Sequence, residues 1–290
     1  MVLPSDSGQE PVSQKIHQLY YENEKIKAVY TCTKNGKRYG EYQTWYPNGK
    51  RKKRCHYGKD GGLYGRYQTW WPNGVKEIET TYNGLHKICG RFEKWYSTGV
   101  KREDTEYDCY GNMDGIHRSW SESGKQTYIG NVMKNRWHGL QKGWYSDGSR
   151  KLEVLWDYGK KNGLCLYWYQ DGSPWENSTF RKGNLIGRSQ EWNRRGDKTI
   201  DIEYDENMKL VGRFHTRYYN GNPCRKCFYI NGIKCGRYQL WRINGKRKKD
   251  YNYDDDGKKH GDCKIWDDEG GEFVNVYEHG RLVKQYVVVC

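Results

Sequence analysis

The sequence predicts an all-β repeat protein: an elongated single-layer antiparallel sheet of stacked β-hairpins, in about eleven units of 24–25 residues. Three observations predict it. Gly40, Gly65, Gly90, Gly115, Gly139, Gly163, Gly187, Gly212, Gly236 and Gly261 follow one another at steps of 24 or 25. Five residues after each stands a tryptophan (Trp45, Trp70, Trp95, Trp120, Trp144, Trp168, Trp192, Trp241 and Trp266), with Arg217 alone breaking the row. Nine residues after each stands a second glycine, from Gly49 to Gly270. Composition agrees. The 35 glycines argue against helix, where glycine costs about 1 kcal/mol. The 16% aromatic content suits a thin sheet, because each ring buries about 150–250 Å².

Residues 1–14 are polar, carry Pro4 and Pro11, and read as a flexible leader; the array runs from 15 to 290. A degenerate first unit spans 15–39, with Tyr20 and Tyr21 where Trp45 and Tyr46 stand one unit later and Glu24 replacing the second glycine. The next unit shows the pattern in full. From Gly40 an aromatic strand runs into Pro47-Asn48-Gly49, and Asn-Gly supplies the positive-φ pair that a two-residue hairpin turn demands. The return strand ends near an aromatic seventeen residues after the first glycine, as at Tyr57, Tyr82, Tyr107, Trp156 and Tyr253. A connector rich in Gly, Lys and Asn follows, and the two repeat lengths differ by one residue there. Residues 261–290 form a C-terminal capping unit, whose last residues, Tyr286 to Cys290, are β-prone and suited to closing the sheet.

Register decides which face is dry. A two-residue loop sets Tyr46 opposite Arg51 and Gly40 opposite Tyr57, with Trp45 on the face away from Tyr57. A three-residue loop reverses the parity and puts Trp45 on the Tyr57 face, the more apolar one given Ile78, Leu152, Val154, Ile200 and Ile202. The register that buries the tryptophans is therefore favoured.

The pattern G-x-x-x-x-W-Y-x-N-G, with an aromatic and a Gly-Lys-rich loop beyond it, resembles the MORN repeat family. It is most similar to the variant repeats of bacterial antitoxin-like proteins and of long arrays in large DNA viruses. The similarity covers residues 15 to 290 and implies an elongated sheet of stacked hairpins acting as a non-enzymatic scaffold for protein–protein contacts. It also places a structural or accessory role in a large DNA virus, and neutralisation of a toxin, among the expected settings. Some members are linked to phosphoinositide membranes. No catalytic or ligand residues come with the resemblance.

The net charge of +15 points to an anionic partner, a lipid surface or nucleic acid, as the alternative to a protein partner. The basic runs Lys50-Arg51-Lys52-Lys53-Arg54 and Lys246-Arg247-Lys248-Lys249 stand at matching places in two units, so Lys50, Arg51, Lys53, Arg54, Lys246, Arg247 and Lys249 are the candidate contacts. Strand alternation separates Lys50, Lys52 and Arg54 from Arg51 and Lys53. The ten cysteines occupy no recurring position, and no apolar stretch reads as a signal peptide or bilayer span, so a reducing intracellular setting is expected.

No metal or cofactor is expected. Cys224-x-x-Cys227, with Cys235 beyond, has metal-like spacing, but an offset of three along a strand sends the pair to opposite faces. The eight histidines are scattered, and Asp254-Asp255-Asp256-Gly257 lacks the spaced ligands of a calcium loop and reads as a solvated turn. A thin sheet offers poor shelter to an active site, and no catalytic constellation recurs, so no enzyme is expected.

Overall fold

Residues 15–288 are described here from a computed structural model. The expected leader, Val289 and Cys290 lie outside them. The described residues form twenty-three β-strands and no helix, from Lys15–Tyr20 to Arg281–Val288. They divide into two compact units at the boundary between Arg136 and Trp137. Within each unit, each strand pairs antiparallel with the next in the chain, giving a single-layer sheet of hairpins.

The leading glycine is fixed by backbone geometry. All ten have positive φ, from 62° at Gly187 to 132° at Gly115, a region that L side chains rarely occupy. The cause lies in the ladder to the preceding hairpin. Arg54 pairs with Gln68 and His56 with Tyr64, so one residue, Cys55, faces three, Gly65 to Tyr67. Such a bulge needs a residue tolerant of left-handed backbone.

A second irregularity sits beside every tryptophan of the row except Trp266, whose ladder is regular. Gly65 pairs with Tyr82 and Thr69 with Ile78, yet Trp70 pairs with Lys76, leaving Glu77 bulged. The turn between the strands is a three-residue loop, the length that goes with the favoured register, but the face of the tryptophan is not the one that register gives. Tyr46 donates its N–H to the Lys50 carbonyl and Gly49 to the Tyr46 carbonyl, both at 2.8 Å. Gly49 has φ +86°, while Asn48 keeps negative φ and its carboxamide oxygen accepts the Lys50 N–H at 3.0 Å. This is the type I turn followed by a left-handed residue. Loop and bulge each add one residue and their parities cancel. Gly40 therefore still faces Tyr57, but Arg51 pairs with Trp45, not Tyr46.

The tryptophans consequently lie on the face away from Tyr57, which corrects the favoured register. They are half-buried, with Trp241 alone buried, and cations cover them: Arg51 lies 5.6 Å from the Trp70 ring, Lys76 5.2 Å from Trp95 and Lys226 5.7 Å from Trp241.

The opposite, tyrosine face holds the dry contacts. Small residues fifteen after the leading glycine are buried there, among them Cys55, Thr80, Thr105, Val154, Ser178 and Cys227. Aromatic pairs meet across them: Tyr42–Tyr57 at 5.7 Å, Tyr67–Tyr82 at 5.6 Å, Phe92–Tyr107 at 6.2 Å and Phe214–Tyr229 at 5.8 Å, all edge-on. Such pairs are worth about 0.5–1.5 kcal/mol each beyond the area they bury. Burial pushes the phenols of Tyr67, Tyr229 and Tyr251 up to about 12.

Successive hairpins are also laced by side chains reaching across one repeat. Tyr46 Oη donates to the Trp70 carbonyl at 2.9 Å, Tyr96 to Trp120 at 3.0 Å, Tyr145 to Trp168 at 2.8 Å and Tyr218 to Trp241 at 2.9 Å. Trp71 Nε1 and an Arg242 Nη do the same for the carbonyls of Trp95 and Trp266. At Arg217, where the tryptophan row breaks, the equivalent Asn193 instead bonds Asp197 within its own turn.

The two repeat lengths follow from the connector. Each 25-residue step carries a three-residue loop, as where Gly61 donates to the Gly58 carbonyl at 2.9 Å. Each 24-residue step carries a two-residue loop with both residues at positive φ, such as Tyr158-Gly159 (45° and 83°) and Asn231-Gly232 (50° and 84°). In the first hairpin Glu24 takes the turn glycine's place and its conformation, with φ 64°.

Two alanine substitutions separate strain from crowding. At Gly65 a Cβ meets nothing within 4 Å, so Gly65→Ala should cost only the left-handed backbone penalty of about 1–2 kcal/mol. At Gly163 the φ is +114° and a Cβ would sit 2.7 Å from Leu155 Cδ2, so Gly163→Ala should lower the urea midpoint further. Adding Leu155→Ala should relieve the crowding but not the strain.

Candidate interaction surface

On the tryptophan face five of the ten hairpins with a leading glycine carry an ion pair in a fixed place. An arginine one residue after the leading glycine meets a carboxylate thirteen residues on, a diagonal cross-strand neighbour. Arg91 grips Asp104 at 2.9 and 2.6 Å, Arg188 grips Asp201 at 2.7 and 2.8 Å, and Arg237 grips Asp250 at 2.8 and 2.6 Å, all through two nitrogens. Arg66 and Glu79 repeat the pair, and Glu41 with Arg54 reverses it. A glutamine often adds a third bond, as Gln239 does to Asp250 at 3.0 Å. The arginines are 58–68% exposed, so each pair contributes at most about 1 kcal/mol. Their effect is to make this face wet and charged.

Two neighbouring hairpins of the second unit place an apolar side chain at the arginine position. Leu140 and Leu164 stand where Arg188, Arg213 and Arg237 stand later in the same unit, and Leu155 lies directly opposite Leu140. Leu155 also packs over the bare backbone of Gly163, beside Leu164. The three leucines are 48%, 39% and 49% exposed and form one apolar patch, with the Lys142–Glu153 ion pair beyond it on the same hairpin. In the first unit, the hairpin of Met113–Trp120 and Gln126–Met133 has Ile116 and Ile129 at its ion-pair positions.

The basic candidates are dispersed by the fold. Because Lys52 is bulged, strict alternation fails, and Arg51 and Lys53 part company. Arg51 covers Trp70 and Arg54 pairs with Glu41 on the tryptophan face, whereas Lys53 lies 4.8 Å from the Tyr67 ring on the tyrosine face. Lys50 Nζ donates to the Asn73 carbonyl at 2.5 Å. In the second unit Arg247 sits 3.7 Å from Asp250, Lys249 lies 5.7 Å from the Tyr251 ring, and Lys246 is exposed. The fold does gather Lys52 and Lys53 with Tyr42, Tyr46 and Tyr67 around a recess of about 460 Å³ in the first unit.

The cysteine spacing resolves in the same way. Cys224 is the bulged residue of its hairpin, so the alternation that would separate it from Cys227 does not apply. Cys227 is buried with Tyr229 and Tyr238, and burial pushes the thiols of Cys55, Cys165, Cys227 and Cys263 up, which leaves them unreactive.

Residues 38–59 and 63–83 match the family model described as MORN repeat variant. Two repeats of this chain match as MORN repeats. A comparison with curated proteins finds no match. Among solved structures, that of TcdB2-TccC3-TEV aligns with 92% of this chain at 11% identity and a TM-score of 0.15, a likeness that carries no argument. This chain spans about 15% of that one.

The Arg188 guanidinium holds the Asp201 carboxyl down at about 2 against the opposing effect of burial. A depressed acid stabilises the fold above its unfolded value, near 3.9, and loses that contribution as pH falls toward 2. Asp201→Asn should therefore lower stability by no more than about 1 kcal/mol near neutrality, given the exposed arginine. It should also flatten the acid limb of a stability–pH curve measured by urea titration.

Proposed function

We propose that this MORN-repeat protein is a non-enzymatic interaction scaffold whose partner is a protein docking on the tryptophan face around Leu140, Leu155 and Leu164. The observation that carries the reading is the replacement there of the arginines that keep other hairpins wet. Three contiguous exposed leucines are the composition of an interface centre rather than of a solvated face. A structural or accessory role in a large DNA virus and neutralisation of a toxin are the two settings in which the resemblance places such a surface. The intracellular setting belongs to the same proposal and is supported by cysteines used as small buried core residues.

A second reading, binding of an anionic lipid or nucleic acid, is favoured by the recess where Lys52 and Lys53 stand over tyrosine rings. The two readings differ in salt dependence and in location. A partner cross-linked to the full chain should persist as salt is raised to about 300 mM, and should be lost on Leu140→Glu with Leu164→Glu. An anionic partner should dissociate steeply over the same range and respond to Lys52→Ala with Lys53→Ala instead. Cross-linking indifferent to the leucine pair would end the first reading.

A further inference from the structure

Three residues that the repeat does not require converge at the connector end of the last two hairpins. Asp254 opens the three-residue connector after Arg247–Tyr253, and its Oδ1 accepts the Lys258 N–H at 2.8 Å. That is the turn role which Asp108 and Asp205 fill in other connectors. Its Oδ2 is thereby left pointing at a neighbour, and that neighbour is His279 Nδ1 at 3.0 Å. His279 is the first residue of a two-residue turn, with φ 44°, a position held elsewhere by Lys134, Tyr158, Lys182 and Asn231. His260 directly precedes a leading glycine, where Tyr39, Tyr64 and Cys89 stand in earlier units. Its ring lies 4.9 Å from that of His279, and its Nδ1 is 3.4 Å from the His279 N–H. One donor atom from each of the three residues lies within 4.8 Å of the others.

We propose that Asp254, His260 and His279 bind one zinc ion. Two imidazoles and one carboxylate are a donor set that zinc takes with a fourth position left to water. Bond lengths of about 2.0–2.2 Å place tetrahedral ligand atoms roughly 3.3 Å apart. The Asp254–His279 contact is already near that spacing. The widest separation closes by a small rotation of the two imidazoles, both of which are exposed. The backbone bond from Lys258 fixes the carboxylate as an outer-shell partner should. Lys259, the nearest cation in sequence besides Lys258, is drawn away over the rings of Tyr251 and Tyr277, both at 4.8 Å. Bound zinc would tie the connector before Gly261–Trp266 to the turn that launches the exposed final strand, Arg281–Val288, and so brace the last hairpin.

The test is zinc titration of the full chain by calorimetry, with cobalt absorption to read the ligand type. The expected result is one equivalent bound, with a cobalt spectrum free of thiolate charge transfer. His260→Ala and His279→Ala should each weaken uptake by at least roughly tenfold, the lower end of what outer-shell changes alone cost. Asp254→Asn should also weaken it, and His86→Ala, a histidine in the other unit, should leave it unchanged. Circular dichroism of each variant reports whether the sheet is intact; because both imidazoles are exposed, it should be. No uptake by the full chain, uptake equal in the histidine variants, or a thiolate band would overturn the proposal.

Discussion

The left-handed backbone of the leading glycine is the constraint on which the other features rest. It lets three residues of one strand face a single residue of the preceding hairpin, as Gly65 to Tyr67 face Cys55. Because that mismatch recurs in each unit, pairing between hairpins is offset while pairing inside a hairpin is set by the turn. The three-residue turn and the bulge at Glu77 or its equivalents then act as a compensated pair. Remove either alone, and every side chain beyond it would change faces. Both irregularities together give one face of rings closing over small residues and another of tryptophans roofed by cations.

The two faces contribute differently. On the tyrosine face, aromatic edges and buried small residues supply most of the dry contact in each single-layer sheet. On the tryptophan face, exposed ion pairs add little stability but keep water on the surface. The tryptophan face is charged and well hydrated where these pairs stand and apolar at Leu140, Leu155 and Leu164 and at Ile116 and Ile129. A sheet built this way can carry an apolar patch through changes at two repeat positions, since the exposed arginine contributes little to the fold. The Asp254–His260–His279 cluster shows the same economy: three positions tolerant of many residues, converted without disturbing the repeat.

Much of the fold was legible because backbone requirements recur. Gly40 and Gly49 occupy positive φ in every unit, so their period survives in the sequence, and the one-residue difference between steps is the difference between a three-residue connector and a Tyr158-Gly159 type of turn. The register of the tryptophans was not legible. A bulged residue needs no special side chain: Lys52, Glu77 and Cys224 fill that place in different hairpins, so nothing marks it. Without it, alternation puts Arg51 and Lys53 on one face, whereas they lie on different ones. The leucine patch was visible only as a departure from arginine, and that departure acquires meaning once Arg91–Asp104 and its equivalents are seen as pairs. The histidine cluster was hidden because its members come from non-equivalent repeat positions.

The pairing of Trp70 tests the central claim most directly. Cross-strand nuclear Overhauser contacts in the hairpin of Leu63–Trp70 and Lys76–Tyr82 should place Gly65 opposite Tyr82, Thr69 opposite Ile78 and Trp70 opposite Lys76, with Glu77 unpaired. A regular ladder that set Trp70 opposite Glu77 would contradict the account, because the bulge that assigns both faces would not exist.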